Sequence, residues 1–519
     1  MEYAIAVIDI GMTNKKVAVY DDGLQQAAAR YRTFEPQQIQ GLETHDLEAM
    51  ETWFIEELTD LAKTYPIKAI AVTTHGATFV CVDKDGKPVV PCVYYTHEPG
   101  DLFHDRFYAR FGGAEKLQAR TGTPYLKGLI NPAKGVLFVQ ERFPEQFSRT
   151  RILLQYPQYW GFRFTGKIGA EGTYMGCHGY LWDQRDHKLS SVAEKLGIAA
   201  LMPQKLNNSW DILGTVTKAF AQKTGLSPET IVTMGIHDSN ASLLPHFAKK
   251  GETGFVLNST GTWCVSMHPV KTFGFGQEEL GKVVFFNISA FRTPVKTAIF
   301  LGGQEFETWS KLLMGLHRRS DIPLYNLDVY RSILREQRVF LLPELTPGSG
   351  QFPQSHPRIV EDHKVYPFEA IQEGALRPPC FKDYEKSLAI LRLSLVMQSL
   401  TSFERIGLTG EAEVFTEGGF RKDQAYQEIL SAALQGHRVY TTDIAEASAL
   451  GAAMTAKMGL TGKELSALAK DFEIVYQETA KPAIPELFPY RKVWLDLAQS
   501  ENSRSLLLPG CSVSEPRKT

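Results

Sequence analysis

Several broad classes of protein are excluded by what this chain lacks. No apolar run approaches the ~20 residues that a helix needs to cross a bilayer, so no membrane partner is expected. Lys and Arg never cluster into a block, and the formal net charge is −2. That balance gives no electrostatic footprint for nucleic acid. The six cysteines, Cys81, Cys92, Cys177, Cys264, Cys380 and Cys511, never form a Cys-x-x-Cys pair. Scattered thiols of this kind read as free in a reducing compartment, so the cytoplasm is the expected location. Met1 and Glu2 lead straight into a strand-like run, with no basic stretch or cleavage site, and no signal peptide is expected. Neither His-Glu-x-x-His nor a paired Cys/His spacing occurs. The phosphate loop Gly-x-x-x-x-Gly-Lys-Ser/Thr is missing, and Gly274-Phe275-Gly276 lacks the third glycine of a dinucleotide loop.

What is present is an ordinary globular composition, 43% apolar and 22% charged, over 519 residues. That length is more than one core usually supports, so two domains are expected. A pair of look-alike segments supports this. Residues 4–20 and 254–267 each hold an apolar run, a tight turn of Gly, Thr/Ser and Asn, and a second apolar run. Each reads as a β-hairpin. Helical spacing follows the first, with Leu47, Met50, Trp53, Phe54, Leu58 and Leu61 on one face, then a buried strand at 68–73. Residues 78–82 and 89–95 flank Asp83-Lys84-Asp85-Gly86-Lys87 and are expected to pair as a further hairpin. Strand signals recur at 231–234, 282–287 and 297–301, and helical ones near 304–316, 384–406, 422–435 and 444–458. The order hairpin, strands, helices thus appears twice, which predicts two related α/β domains with a hinge near 240–250. Residues 1–245 and 246–496 are the expected domains, and 497–519 a flexible tail.

Three segments carry chemistry. Two hairpin turns facing each other would clamp a polyphosphate, because such a group needs backbone N–H donors, hydroxyls and positive charge with no bulky Cβ in the way. Gly11 and Gly261 allow the approach; Thr13, Asn14, Ser259, Thr260 and Thr262 offer polar groups; Lys15 and Lys16 offer charge. The second segment is Gly235-Ile236-His237-Asp238-Ser239-Asn240, just before the second hairpin. Asp238 reads either as a general base toward a hydroxyl or as a helix N-cap, and His237 by itself as a packed histidine. The third is Glu417-Gly418-Gly419-Phe420 after Val414-Phe415, either a bed for a flat ring or a plain strand-to-helix turn. Tyr174-Met175-Gly176-Cys177-His178 is read as structural or sugar-contacting.

Together these residues resemble the FGGY family of carbohydrate kinases, over roughly residues 3–490. The resemblance rests on Asp9 to Lys16 as the first phosphate segment and Ser259-Thr260-Gly261-Thr262-Trp263 as the second. It also rests on Gly418-Gly419 with the small-residue helix at Ala447 to Ala453, and on Asp238 in a Gly-x-x-Asp. It implies an α/β fold of two actin/hexokinase-like (ribonuclease H-like) domains with an interdomain active-site cleft. It implies ATP and Mg²⁺ as cofactors, a small-molecule sugar as substrate, and a homodimer as one expected assembly. In residues, it implies Asp238 as catalytic base and Asp9 as the metal ligand. Gly11, Thr13, Asn14, Lys16, Thr260, Gly261, Thr262, Gly418, Gly419 and Phe420 would hold the nucleotide. Thr74, His75, His97, Gln158 and His237, with Asp238, would hold the sugar. The rhamnulokinase and fuculokinase branches are the nearest in look, through the His-Asp pair, Gly-Thr-Trp and Phe162-Arg163-Phe164-Thr165-Gly166-Lys167. Thr74-His75-Gly76 is nearer to the Met-His-Gly of xylulose kinases, so a pentulose or polyol substrate stays open. So does a non-catalytic nucleotide switch or sugar sensor on the same fold. Three departures stand out: Phe420 for a third glycine, His97-Glu98-Pro99 for an Asp-x-x-Arg, and Gln158 where the family has an acid.

Overall fold

The computed structural model describes residues 1–500. Residues 501–519, with Cys511 and most of the expected tail, lie outside the described residues, and 497–499 complete a helix, Leu487–Gln499.

Two mixed sheets share one plan. In the first, β1 (Ala4–Ile10) pairs antiparallel with β2 (Asn14–Asp21), and β2 antiparallel with β3 (Gln26–Thr33). On its other side β1 runs parallel to β4 (Ile67–Thr74). Next come β5 (Ile212–Thr215) and β6 (Ile231–Thr233); β6 is parallel to β4, and β5 closes the edge antiparallel to β6.

The second sheet is built from β7 (Phe255–Thr260), β8 (Cys264–Pro269), β9 (Val284–Ile288), β10 (Pro294–Phe300), β11 (Glu413–Gly418), β12 (Val439–Thr442) and β13 (Tyr476–Glu478). β7 pairs antiparallel with β8, and β8 antiparallel with β10. β7 is parallel to β11, β11 parallel to β12, and β13 is antiparallel to β12. β9 extends the far edge beside β10. Six strands of each sheet correspond in order, so the expected duplication is present. The sheets differ in that β9 has no counterpart in the first, Ile236–His237 beside β4 has none in the second, and β5 precedes β6 whereas β13 follows β12. Central strands such as β1, Ala-Ile-Ala-Val-Ile-Asp-Ile, are apolar on both faces because both faces are covered.

Helix α1 (Leu47–Ala62) is capped by Asp46, whose side chain accepts from Ala49 N, and buries Met50, Trp53, Phe54, Leu58 and Leu61 as the spacing predicts. Helix α2 (Tyr156–Thr165) covers the same sheet. Two short helices, α3 (Asp238–Ala241) and α4 (Leu244–Lys250), carry the chain between the sheets. Beyond β10 lies α5 (Gly302–His317), and after β12 α6 (Ala447–Thr461) returns to the first sheet. Ile5, Val7 and Ala71 of the first sheet share one core with Phe255, Leu257 and Phe415 of the second and with Ala449, Ala452 and Ala453 of α6. Where α3 and α6 cross, Gly451 has no room for a side chain: a Cβ would fall well inside the 3.0 Å that real contacts keep from Ala241 O. Residues 240–250, where a hinge was expected, hold the end of α3 and all of α4.

One local expectation fails. Phe79–Val82 pairs with Ile152–Gln155, not with 89–95, and only an isolated bridge joins Val82 to Pro88. The turn forms, with Asp83 Oδ1 accepting from Asp85 N and Lys87 N. Val89 N still donates to Cys81 O at 2.9 Å, but Pro88 and Pro91 have no N–H with which to continue a ladder. Among the described residues no helix is long and apolar enough to cross a membrane.

Candidate active site

The first hairpin presents charge. Asp9 near the end of β1 lies opposite Lys16 of β2, and their side chains are 3.5 Å apart. Ser448 Oγ donates to Asp9 Oδ2 at 2.9 Å. Burial raises the Asp9 carboxyl above its ordinary range, Lys16 opposes that shift, and the charge of Asp238 adds to it. Lys16 also pairs with Glu446. The other Glu446 oxygen accepts from Tyr31 OH at 2.6 Å, and Tyr31 lies opposite Lys16 on β3. Strand alternation sends Lys15 the other way: it is 1% exposed and donates to Met12 O at 2.8 Å. Burial lowers its pKa to about 8. Of the two lysines, only Lys16 lines the cleft. Thr13 is exposed at the tip, and Asn14 Oδ1 accepts from Thr33 Oγ1 at 3.1 Å.

The second hairpin presents backbone. The Thr260 hydroxyl donates to Glu417 O and accepts from Phe420 N at 3.0 Å, so it is spent on holding the turn. Glu417 in turn accepts from His246 Nε2 at 2.9 Å and Thr442 Oγ1 at 3.1 Å. Gly418 lies beside Thr260 with φ 79°, and Gly303 at the start of α5 lies against Gly261; neither site leaves room for a Cβ. Gly261 and Thr262 are left exposed at the tip, as is Gly419 at the neighbouring turn. The Phe420 ring does not enter that turn. It is buried against Phe306 and Tyr426, with centroids at 5.6 and 4.9 Å, and only its backbone borders the expected nucleotide bed.

Asp238 stands between the two. It follows the short strand Ile236–His237, which pairs with β4, and it is the first residue of α3; His237 holds the N-cap position. Asp238 Oδ1 accepts from Ser239 N at 2.6 Å and Ser239 Oγ at 3.2 Å. The side chain keeps 31% exposure, and the protein packed around it pushes its pKa up to about 6. A cleft of about 410 Å³ brings Asp238 together with Asp9, Gly11, Asn14, Lys16 and Gly418.

Beside Asp238 is a cluster of buried histidines. His237 Nε2 is 3.3 Å from Asp238 Oδ1, and burial lowers the His237 pKa to about 3. Thr74 is the register partner of His237; its hydroxyl donates to His75 O. His75 Nδ1 donates to Gly76 O, which leaves Nε2 as a buried lone pair with no partner. The Tyr95 ring lies tilted beside His75, with centroids 5.4 Å apart. Two of the expected sugar ligands are elsewhere. Gln158 is fully buried in α2, with its amide donating to Met234 O. His97 packs on Phe138 at 5.0 Å. Gln158 is held there by α2, and His97 lies in a loop where its N donates to Tyr94 O and its carbonyl accepts from Leu129 N.

Sequence reasoning missed Tyr31, Glu446, Ser448, Ser239 and Gly303. Tyr31 was findable from the β2–β3 register, and Ser239 as the neighbour of Asp238. Glu446 meets Lys16 across 430 residues and gives no local signal.

The residues fit a nucleotide with a hard cation. Asp9 offers a carboxylate oxygen of the kind Mg²⁺ takes along with water, Lys16 a cation, and the turns at Gly11 and Gly418 backbone approach without a side chain. A duplicated sheet with one hairpin from each half and a carboxylate at the cleft floor defines the actin- and hexokinase-like class of two-domain folds. Within it, the chain belongs to the FGGY family of carbohydrate kinases, a family of phosphotransferases. Residues 4–245 match the FGGY family of carbohydrate kinases, N-terminal domain, and residues 252–464 match the carbohydrate kinase FGGY, C-terminal domain. The chain is 24% identical to a rhamnulokinase of Halalkalibacterium halodurans over 276 residues, 51% of this chain and 55% of that protein. It is 25% identical to an L-fuculokinase of Escherichia coli over 201 residues, 39% of this chain and 41% of that protein. The matches thus span about half the length of these curated relatives. A carbohydrate kinase structure from Novosphingobium aromaticivorans superposes with TM-score 0.77 at 25% identity, covering 97% of this chain and 99% of that one. A xylulose kinase structure from Lactobacillus acidophilus shares the fold, with TM-score 0.79 at 15% identity over 97% and 99% of the two chains.

Proposed function

We propose that the protein transfers the γ-phosphoryl group of ATP to a hydroxyl of a small ketose, with a 6-deoxy-ketohexose such as L-rhamnulose or L-fuculose as the acceptor. The observation that carries this reading is the position of Asp238. A carboxylate with a pKa near 6 shares a cleft with the charged hairpin and has the buried His237 beside it. Phosphoryl transfer needs positioning and charge stabilisation more than covalent help from the protein. Asp238 takes the proton of the attacking hydroxyl. His75 Nε2 accepts from a second sugar hydroxyl, and His237 Nε2 faces Asp238. Lys16 and the backbone at Gly11, Gly261 and Gly418 hold the phosphates, and Asp9 orients the cation. ATP supplies the phosphoryl group, and Mg²⁺ offsets the charge that builds on it.

The 6-deoxy choice is supported by the named relatives and by an apolar wall. Leu126, Val283, Phe285 and Ile299 form a small cluster with Trp263 packed on it, and Phe285 lies 6.0 Å from His178. Such a wall suits a methyl group where another sugar carries a hydroxyl. Five buried free thiols among the described residues suit a reducing cytoplasm.

The test is ADP release with a panel of L-rhamnulose, L-fuculose, D-xylulose, L- and D-ribulose and erythritol. Turnover is expected with a 6-deoxy-ketohexose above the others and is expected to vanish in Asp238→Asn while nucleotide binding persists. A pentulose or polyol as best substrate overturns the sugar assignment. ADP release indifferent to every sugar identifies a nucleotide switch instead.

A further inference from the structure

Beside the proposed sugar pocket, three ligand atoms converge that phosphoryl transfer does not require together. Cys177 Sγ, a His178 nitrogen and a His237 nitrogen all lie within 4.8 Å of one another. Cys177 Sγ is 3.4 Å from His237 Nε2. Ligand atoms around a tetrahedral ion with bonds of about 2.0–2.3 Å sit about 3.3–3.8 Å apart, so the cluster is near that spacing already.

The surroundings turn the right atoms inward. His178 Nδ1 lies 3.1 Å from Ile130 O, a carbonyl that can only accept. The proton is therefore on Nδ1, and Nε2 presents its lone pair to the cluster. A histidine that binds metal is normally fixed in this way, by giving its other N–H to a carbonyl. His237 Nδ1 lies 3.2 Å from the side-chain amide of Asn240, whose oxygen has no other partner. Turned by half a rotation, that amide accepts the Nδ1 proton and frees His237 Nε2 as well. The His237 backbone is itself tethered, donating to Thr173 Oγ1 at 3.0 Å, and Thr173 is held by buried Glu171 at 2.7 Å.

Gly76 packs directly on the cluster. A Cβ there would sit 2.9 Å from His178 Nε2, 3.0 Å from Cys177 Sγ and 3.0 Å from His237 Nε2. The three donor atoms thus share one wall, which only a glycine fits.

We infer that Cys177, His178 and His237 form a binding site for a soft divalent cation of the zinc type. One thiolate and two imidazoles select such an ion over Mg²⁺, which takes oxygen ligands. On binding, the Cys177 S–H bond breaks, an S–metal bond forms, and the proton passes to solvent. The ion occupies His237 Nε2, the atom that faces Asp238, so metal and sugar exclude each other there. The binding site itself needs only the cluster and stands apart from the sugar-kinase reading.

The experiment is a Co²⁺ titration of the chelator-treated full chain, read by absorbance. About one equivalent should bind with a thiolate-to-cobalt band in the near ultraviolet, displaced by Zn²⁺, with about one proton released. Cys177→Ser should lose the band, and His178→Gln should weaken binding at least about tenfold. Far-ultraviolet circular dichroism checks that each variant folds; if Cys177→Ser does not, the His178→Gln affinity decides. No band at sub-millimolar Co²⁺, or a band unchanged in either folded variant, overturns the site. Both results stand whether or not any sugar is phosphorylated.

Discussion

The hairpins closed by the turns at residues 10–14 and 260–264 occupy the same place in the same sheet plan, yet they are held in opposite ways. The first is organised by charge: Asp9, Lys16 and Glu446 meet there, with Tyr31 and Ser448 as hydrogen-bonding supports. The second is organised by close approach, since Gly418 and Gly303 press on its backbone and Thr260 spends its hydroxyl inward. A duplicated topology thus keeps its strand order while the two copies divide the work. One copy supplies ions that can move and be screened. The other supplies backbone dipoles that are fixed in place and need no side chain to carry them.

The largest effect should come from the charged side. Asp9→Asn is expected to lower kcat by on the order of 10²-fold or more, because it removes the carboxylate that orients the cation. Thr262→Ala, at the tip of the other hairpin, should cost less than about tenfold, because the proposed phosphate contact there is made by backbone. Steady-state kinetics on both variants measure this; equal losses would erase the distinction. Next comes the packed side, where stability is the readout. Gly418→Ala places a Cβ into Thr260 O at a φ of 79°, and should cost about 2–3 kcal/mol in denaturant unfolding. At Gly11 the Cβ would sit 3.0 Å from Asn14 O without a left-handed φ, and Gly11→Ala should cost about 1 kcal/mol or less.

A smaller effect separates Asp238 from both hairpins. Its pKa of about 6 arises from burial, with Ser239 pulling the other way. The base is therefore protonated below about pH 6, and kcat/KM should fall about tenfold per unit beneath it. That limb should stay near 6 in Asp9→Asn, whose residual activity is measurable across pH. A limb that moves toward the ordinary carboxylate range in Asp9→Asn would show that the first hairpin sets the base as well. The raised pKa has a consequence for folding too. The native state binds more protons than the unfolded chain between about pH 4 and 6, so stability falls as pH rises through that window. Asp238→Asn should then melt no lower than the parent at pH 7, which separates lost catalysis from lost structure.

Much of this was legible in the chain. Alternation and turn residues place both hairpins, and α1 follows the spacing from Leu47 to Leu61. The cleft position of Asp238 follows from a strand end before the second hairpin. What failed were residues whose neighbours come from far along the chain. Gln158 was assigned to the sugar by its motif, but its helix faces Met234 O. Phe420 was expected to border the nucleotide with Gly418 and Gly419; its ring packs in the apolar core beside Phe306 and Tyr426, so only its backbone is free for that role. Lys15 and Lys16 look equivalent in sequence, and a period of two alone sends them to opposite faces.

The smallest prediction tests the most distant of these contacts. Glu446 comes from the turn before α6 and neutralises Lys16, so the charged hairpin is closed by an anion that a polyphosphate must outcompete. The pair is unequal in burial: the Lys16 side chain is 6% exposed and that of Glu446 28%. An anion facing water at the mouth of the cleft is screened by salt more than the lysine it covers. Glu446→Gln should therefore lower the KM for ATP by about threefold, with kcat unchanged and the gain largest at low ionic strength. Tyr31→Phe, which removes only the hydrogen bond to Glu446, should move KM less in the same direction. A higher KM in Glu446→Gln would mean that Glu446 aims Lys16 at the phosphates instead of competing with them. The first hairpin would then be held as rigidly as the second, by a charge pair in place of glycine packing.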